Sequence, residues 1–241
     1  MHKNFRIFAL TSGLLALFLA TPASALGINK SIDIAAGSEA GGASTVNGSI
    51  TVGTNATVTG RLETVNGAIR VDDDAKVKDL ETVNGSIKVG SRVNASDIEG
   101  VNGAVRIGEN VTISGEISVV NGKIGVDTGS SVSGDLSNVN GEIAITGAEI
   151  GGNLSTVNGD VSLTEKAKLQ GDLIIEKPGG GNWNGKESRK PKITIGPGSK
   201  VIGNIIVERE VELYISKTAE VGGVSGVMDM DQAIRFSGNR P

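Results

Sequence analysis

The sequence has no cysteine, one histidine (His2), one tryptophan, one tyrosine and five prolines among 241 residues. Without cysteine there is no disulfide framework, no thiol nucleophile and no thiolate metal site. With histidine confined to position 2, the rest of the chain has no imidazole for general-base catalysis or for a His-rich metal centre. Stability must therefore come from packing and backbone hydrogen bonds. Carboxylates are plentiful, so a glycosidase-type Asp/Glu pair stays open on composition, although no pair stands out in the sequence.

Only one long apolar run is present, and it is at the start. Lys3 and Arg6 precede the apolar stretch Ile7–Ala20, and Ala23-Ser24-Ala25 matches an A-x-A cleavage signal. Residues 1–25 are expected to be a secretory signal peptide, with the mature chain starting at Leu26 and residing outside the cytoplasm in the periplasm, on the cell surface or in the medium. The run is short for a bilayer span, and no other segment is apolar enough for one, so no transmembrane segment is expected after cleavage. Removing Lys3 and Arg6 from the 23 basic residues leaves 21 against 27 acidic ones, a net charge of −6. That balance argues against nucleic acid as a partner, because a nucleic-acid footprint is basic.

What the chain does have is glycine, 36 residues of it, placed periodically. Val-Asn-Gly begins at Val46, Val65, Val83, Val101, Val120, Val139 and Val157, and Ile28-Asn29-Lys30 is a degenerate earlier copy. The asparagines Asn29, Asn47, Asn66, Asn84, Asn102, Asn121, Asn140 and Asn158 follow one another at intervals of 18, 19, 18, 18, 19, 19 and 18 residues. Between them apolar residues alternate, as in Ile50, Val52, Ala56, Val58, Leu62 and Val65. Alternation at this repeat length predicts short strands, about three to a coil, with one face inward. The expected fold is an all-β, single-stranded parallel β-helix of about ten coils, its right hand favoured by the general handedness of parallel crossovers. The helix should cover residues 26–224, with a polar insertion at 177–192 and a C-terminal tail at 225–241. Within each repeat the valine of Val-Asn-Gly is expected to point inward, and the glycine to supply a left-handed corner.

Several outward positions are candidates for recognition. Stacked amides should make the asparagine column a structural ladder. Glu63, Glu81 and Glu99 share one position of three consecutive coils, and Arg70, Lys88 and Arg106 share another. These columns could compensate one another or form a strip for an acidic glycan or another chain. Asp72-Asp73-Asp74 is expected to be a polar corner, since no Ca²⁺-loop frame surrounds it. In the insertion, Trp183 stands with Lys186, Arg189 and Lys190, a grouping suited to sugars or acidic partners on a loop carried by a rigid scaffold. No cofactor or metal is expected.

Repeats such as Thr64-Val65-Asn66-Gly67 and Thr82-Val83-Asn84-Gly85 resemble those of the bacterial adhesin-like β-solenoid family with Val-Asn-Gly repeats, over roughly Ile28 to Val224. The resemblance implies an exported right-handed parallel β-helix and carries no catalytic residues. Val201-Ile202-Gly203-Asn204-Ile205 and the coil length also look like the bactofilins, polymer-forming β-helical scaffolds. The expected function is an exported structural or adhesive surface, non-catalytic, presenting a repetitive face to an envelope glycan, to another protein, or to itself through the coil ends. The alternative is a carbohydrate-binding or polysaccharide-cleaving β-helix.

Overall fold

The computed structural model describes residues 24–179 and 189–241. All but the last two residues of the expected signal peptide lie outside them, as do Trp183 and Lys186. Across the described residues the chain is a stack of parallel coils, each coil passing through three faces. The first face holds the strands that lead into the corner, among them Leu62–Asn66, Leu80–Asn84, Ile98–Asn102, Ile117–Asn121 and Leu136–Asn140. The second holds those that leave it: Ile69–Val71, Ile87–Val89, Val105–Ile107, Ile124–Val126 and Ile143–Thr146. On the third face the strands are two residues long, such as Thr57–Val58, Asn94–Ala95 and Thr112–Ile113.

Register follows from the alternation. Ile69, Ile87, Val105, Ile124, Ile143 and Val161 are successive partners on the second face, and each is buried. A one-residue slip would turn such a column outward, which is why the coil length varies only at corners. Each buried Ile, Leu or Val contributes on the order of 1.5–3 kcal/mol through burial. The second face has 11 strands, from Ile32–Ile34 to Ile234–Phe236. At ~4.8 Å per rung the stack is roughly 50 Å long. The first and third faces merge in the long strand Lys200–Val207, which pairs with both Lys168–Leu169 and Leu173–Ile175.

Two local expectations fail. Alternation on the first face counts from Leu62, so Thr64, not Val65, points inward; Val65, Val83 and Val101 are only half-buried. The buried threonines are satisfied by the corner: the Thr64 hydroxyl donates to the Gly48 carbonyl at 2.8 Å and that of Thr82 to Gly67 at 3.1 Å. Asn138, in the same column, donates to the Gly122 carbonyl at 2.7 Å. The corner glycines also serve a different purpose. Of the seven that follow asparagine, only Gly103 and Gly141 have φ between +20° and +160°. What all seven share is stacking: a Cβ on Gly67, Gly85 or Gly103 would stand 1.8–1.9 Å from the carbonyl oxygen of the glycine one coil earlier.

At the start of the stack, the strand Ser24–Gly27 pairs with Gly42–Thr45 and spans the expected cleavage position after Ala25. At the other end, a single 3₁₀ turn at Met230–Gln232 has Asp229 as its N-cap, and Ile234–Phe236 then pairs with Glu212–Ser216. Met228, Met230 and Ala233 pack against the core. Among the described residues no helix is long and apolar enough to cross a membrane.

Candidate functional site

The repetitive fold turns single sequence positions into columns, so each candidate site is a line of side chains down one face or edge. The asparagine column runs along the edge between the first and second faces. Each amide Nδ2 donates to the Oδ1 one coil earlier, at distances of 2.7–3.1 Å from Asn47–Asn29 through to Asn158–Asn140. Both amide groups of every interior asparagine are thereby engaged with its neighbours. The terminal Oδ1 of Asn158 accepts from Arg209 Nη1 at 2.7 Å, and the same nitrogen donates to the Val157 carbonyl. This column is occupied by its own hydrogen bonds and offers little to a ligand.

The glutamate column lies on the first face. Burial raises the pKa of Glu63 and Glu99, and it pushes Glu81 up to about 7, with the neighbouring carboxylates of Glu99 and Glu63 adding to the rise. Arg61 opposes it, with its Nε 2.9 Å from Glu81 Oε1. The counter-charge for this column is therefore Arg61, whose partnership the sequence spacing did not reveal.

Arg70, Lys88 and Arg106 stand on the second face, across the corner from the glutamates. They are outward and exposed, and they are direct cross-strand partners: Arg70 with Lys88, and Lys88 with Arg106. None of the three has an ion pair or side-chain hydrogen bond among the described residues. No ion pair links this column to the glutamate column. Like charges directly opposite one another in a sheet repel, so the column is a line of positive charge on strands ~4.8 Å apart with no ion pair of its own.

The next position of that column is Gly125, and the one after it is Ala144. The loss of side chain there opens a cavity of about 190 Å³ on the second face, beside Arg106 and bounded by Lys123, Asp127 and Glu142. Lys123 Nζ and Glu142 Oε2 are 3.0 Å apart across its rim. Gly125 could have been found from sequence, because it is the outward middle residue of Ile124-Gly125-Val126, equivalent to Arg106 in Val105-Arg106-Ile107.

The other candidates are accounted for locally. Asp74 has φ of 61° and is held by Arg92, whose Nε and Nη2 donate to it at 2.7 and 2.8 Å. That bidentate contact lowers the Asp74 pKa, first through the hydrogen bonds themselves. Asp73 accepts from the Ser91 amide at 2.9 Å, so the acidic triplet is a braced corner. Among the described residues no group of three or more acidic or histidine side chains is placed to hold a metal ion. From the insertion, Arg189 pairs with Asp160 and Lys190 with Glu210 at 2.7 Å, so both cations are tied to the rim of the second face. Lys192 lies 4.8 Å over the Tyr214 ring, a contact absent from the sequence-level candidates. Comparison with family models, curated proteins and solved structures yields no match for this chain.

Proposed function

We propose that this protein is an exported, non-catalytic β-solenoid of adhesive or structural type, which holds a polyanionic envelope glycan on its second face. One observation carries the reading: Arg70, Lys88 and Arg106 are direct cross-strand neighbours on an exposed face, a line of three stacked cations with no ion pair among the described residues. A rigid sheet that maintains such a line bears the repulsion permanently, and a polyanion laid along it relieves that repulsion. The repetitive stack and the signal-peptide pattern of residues 1–25 agree with a role at the cell envelope. So does the resemblance of its Val-Asn-Gly repeats to adhesin-like solenoids.

The test is binding of the full chain to dextran sulfate and to neutral dextran at low and physiological salt. Binding to the sulfated polymer alone, falling with salt and lost in the triple variant Arg70→Gln/Lys88→Gln/Arg106→Gln, is expected. Indifference of binding to that triple variant sinks the proposal. A second reading, cleavage of a polysaccharide, draws support from Glu81, whose pKa of about 7 suits a general acid and whose neighbours Glu63 and Glu99 are carboxylates. Its check is release of reducing sugars from the same polymers, with Glu81→Gln as the control.

A further inference from the structure

We infer that the cavity at Gly125 is a subsite for one carboxylate-bearing sugar unit of an extended acidic glycan, the rest of which runs along the cation column. The inference rests on the proposal above in that Arg106 belongs to both the column and the cavity.

The argument begins with size. At about 190 Å³ the cavity is smaller than the ~300 Å³ at which self-contained small-molecule sites begin, so it suits one unit of a longer chain. Its chemistry is mixed. The floor is the strand backbone at Ile124 and Gly125 with the half-buried Ala144 methyl, a small apolar ledge for the C–H face of a sugar ring. One side is Arg106, free of any partner among the described residues and able to take a carboxylate through two parallel N–H donors. The remaining rim is Asp127 and the Lys123–Glu142 pair, with acceptors for hydroxyl groups and one further cation. A sugar carrying several sulfates would bring negative charge against Asp127 and Glu142. A uronic acid has one carboxylate and several hydroxyls, which matches one guanidinium and two carboxylate acceptors.

Spacing supports a chain in place of an isolated sugar. Arg106, Lys88 and Arg70 follow one another at ~4.8 Å, a step of the same order as one pyranose unit in an extended polymer. A polyuronate with one end unit in the cavity can therefore present successive carboxylates to successive cations.

Gly125 allows a clean test. A Cβ there meets nothing within 4 Å, and its φ lies outside the left-handed range, so a side chain fills the cavity without disturbing the stack. Valine is the replacement of choice because it favours strands. Binding of the full chain to tetragalacturonic acid, to its methyl ester and to dextran sulfate is measured by calorimetry at low salt, and melting of each variant is recorded. Wild type is expected to bind the tetrauronate and to bind the ester about tenfold more weakly. Gly125→Val should melt as wild type does, weaken tetrauronate binding by about tenfold and leave dextran sulfate unchanged. Arg70→Gln/Lys88→Gln should weaken both polyanions. Equal affinity of wild type and Gly125→Val for the tetrauronate overturns the subsite while leaving the column standing, as does binding of dextran sulfate without the tetrauronate. Equal affinity for acid and ester also overturns it. Binding of neither polyanion removes the proposed function and the subsite together.

Discussion

From Asn29 to Asn158 every coil turns from the first face to the second through the same asparagine-centred corner, whereas beyond Asn158 that corner disappears. Four residues separate Thr156 from Val161, but seventeen separate Ile175 from Ile193, because the insertion occupies the corner of that coil. The stacking does not change: Leu154, Leu173 and Ile205 remain partners on the first face, and Val161, Ile193 and Leu213 on the second. The two regions thus separate two roles that coincide in the regular repeats. Inward aliphatic columns fix the register, and the Asn-Gly corner closes the edge. Where the insertion interrupts the edge, Arg209, which lies at the asparagine position two coils on, reaches back to Asn158 and terminates the ladder.

If the aliphatic columns set the register in both regions alike, a buried charge should be equally damaging in each. Ile107→Asp in the regular stack and Ile193→Asp beyond the insertion should each cost several kcal/mol, roughly 3–5, and abolish cooperative unfolding. Val101→Asp, at a half-buried outward position, should cost about 1 kcal/mol or less. Denaturant melts of the three variants decide it, and a tolerated Ile193→Asp would show that the C-terminal coils are held by something other than the columns.

Next in size is the corner. Gly85→Ala places a methyl 1.8 Å from the Gly67 carbonyl oxygen, so two coils must part. A loss of about 2–3 kcal/mol is expected, against none for Gly125→Ala in open space. An equally mild Gly85→Ala would mean that the corners have slack. Along the same edge, Asn102→Ala breaks two ladder bonds and should cost about 1–2 kcal/mol; Arg209→Ala, which ends the ladder, should cost about half of that.

The comparison can also be erased. Replacing residues 176–191 by Val-Asn-Gly gives the interrupted coil a corner of the same length as that after Thr156. Circular dichroism should be unchanged and the melting temperature should rise by a few degrees, since a short closed corner replaces a long loop. A collapse of the fold would assign the insertion a structural part.

The inward columns were legible in the sequence because alternation and an 18–19-residue period leave few other solutions, and the outward cation and glutamate columns followed from the same count. The valine of Val-Asn-Gly is not legible in the same way, because its hydrophobicity does not set its direction: six of the seven are half-buried and only Val157 is buried. Thr64 and Thr82 point inward instead, and the corner carbonyls that satisfy them become visible only when coils are stacked. The cavity at Gly125 is a missing side chain within a column, readable once Ile124-Gly125-Val126 is aligned with Val105-Arg106-Ile107. Arg61 and Arg209 act across coils at offsets that no single repeat displays.

The smallest expected effect tests whether the outward faces are electrostatically neutral to the fold. Glu81 is one of three stacked carboxylates, its side chain only 14% exposed, and burial with its like-charged neighbours lifts its pKa from an ordinary value near 4.5 to about 7. A carboxyl group whose pKa is higher in the folded chain binds its proton more tightly there. It contributes stability that is complete below pH 4.5 and is lost as pH rises through about 7. Solvent at the outer face and the contact with Arg61 screen part of the shift, so the loss should be about 1 kcal/mol. Glu81→Gln removes the charge and keeps an oxygen for Arg61. The variant should match wild type at pH 4 and melt a few degrees higher at pH 8, about 2–4 °C for a chain of this size. Parallel melting curves for the two proteins across that range would show that the charged glutamate column costs the stack nothing.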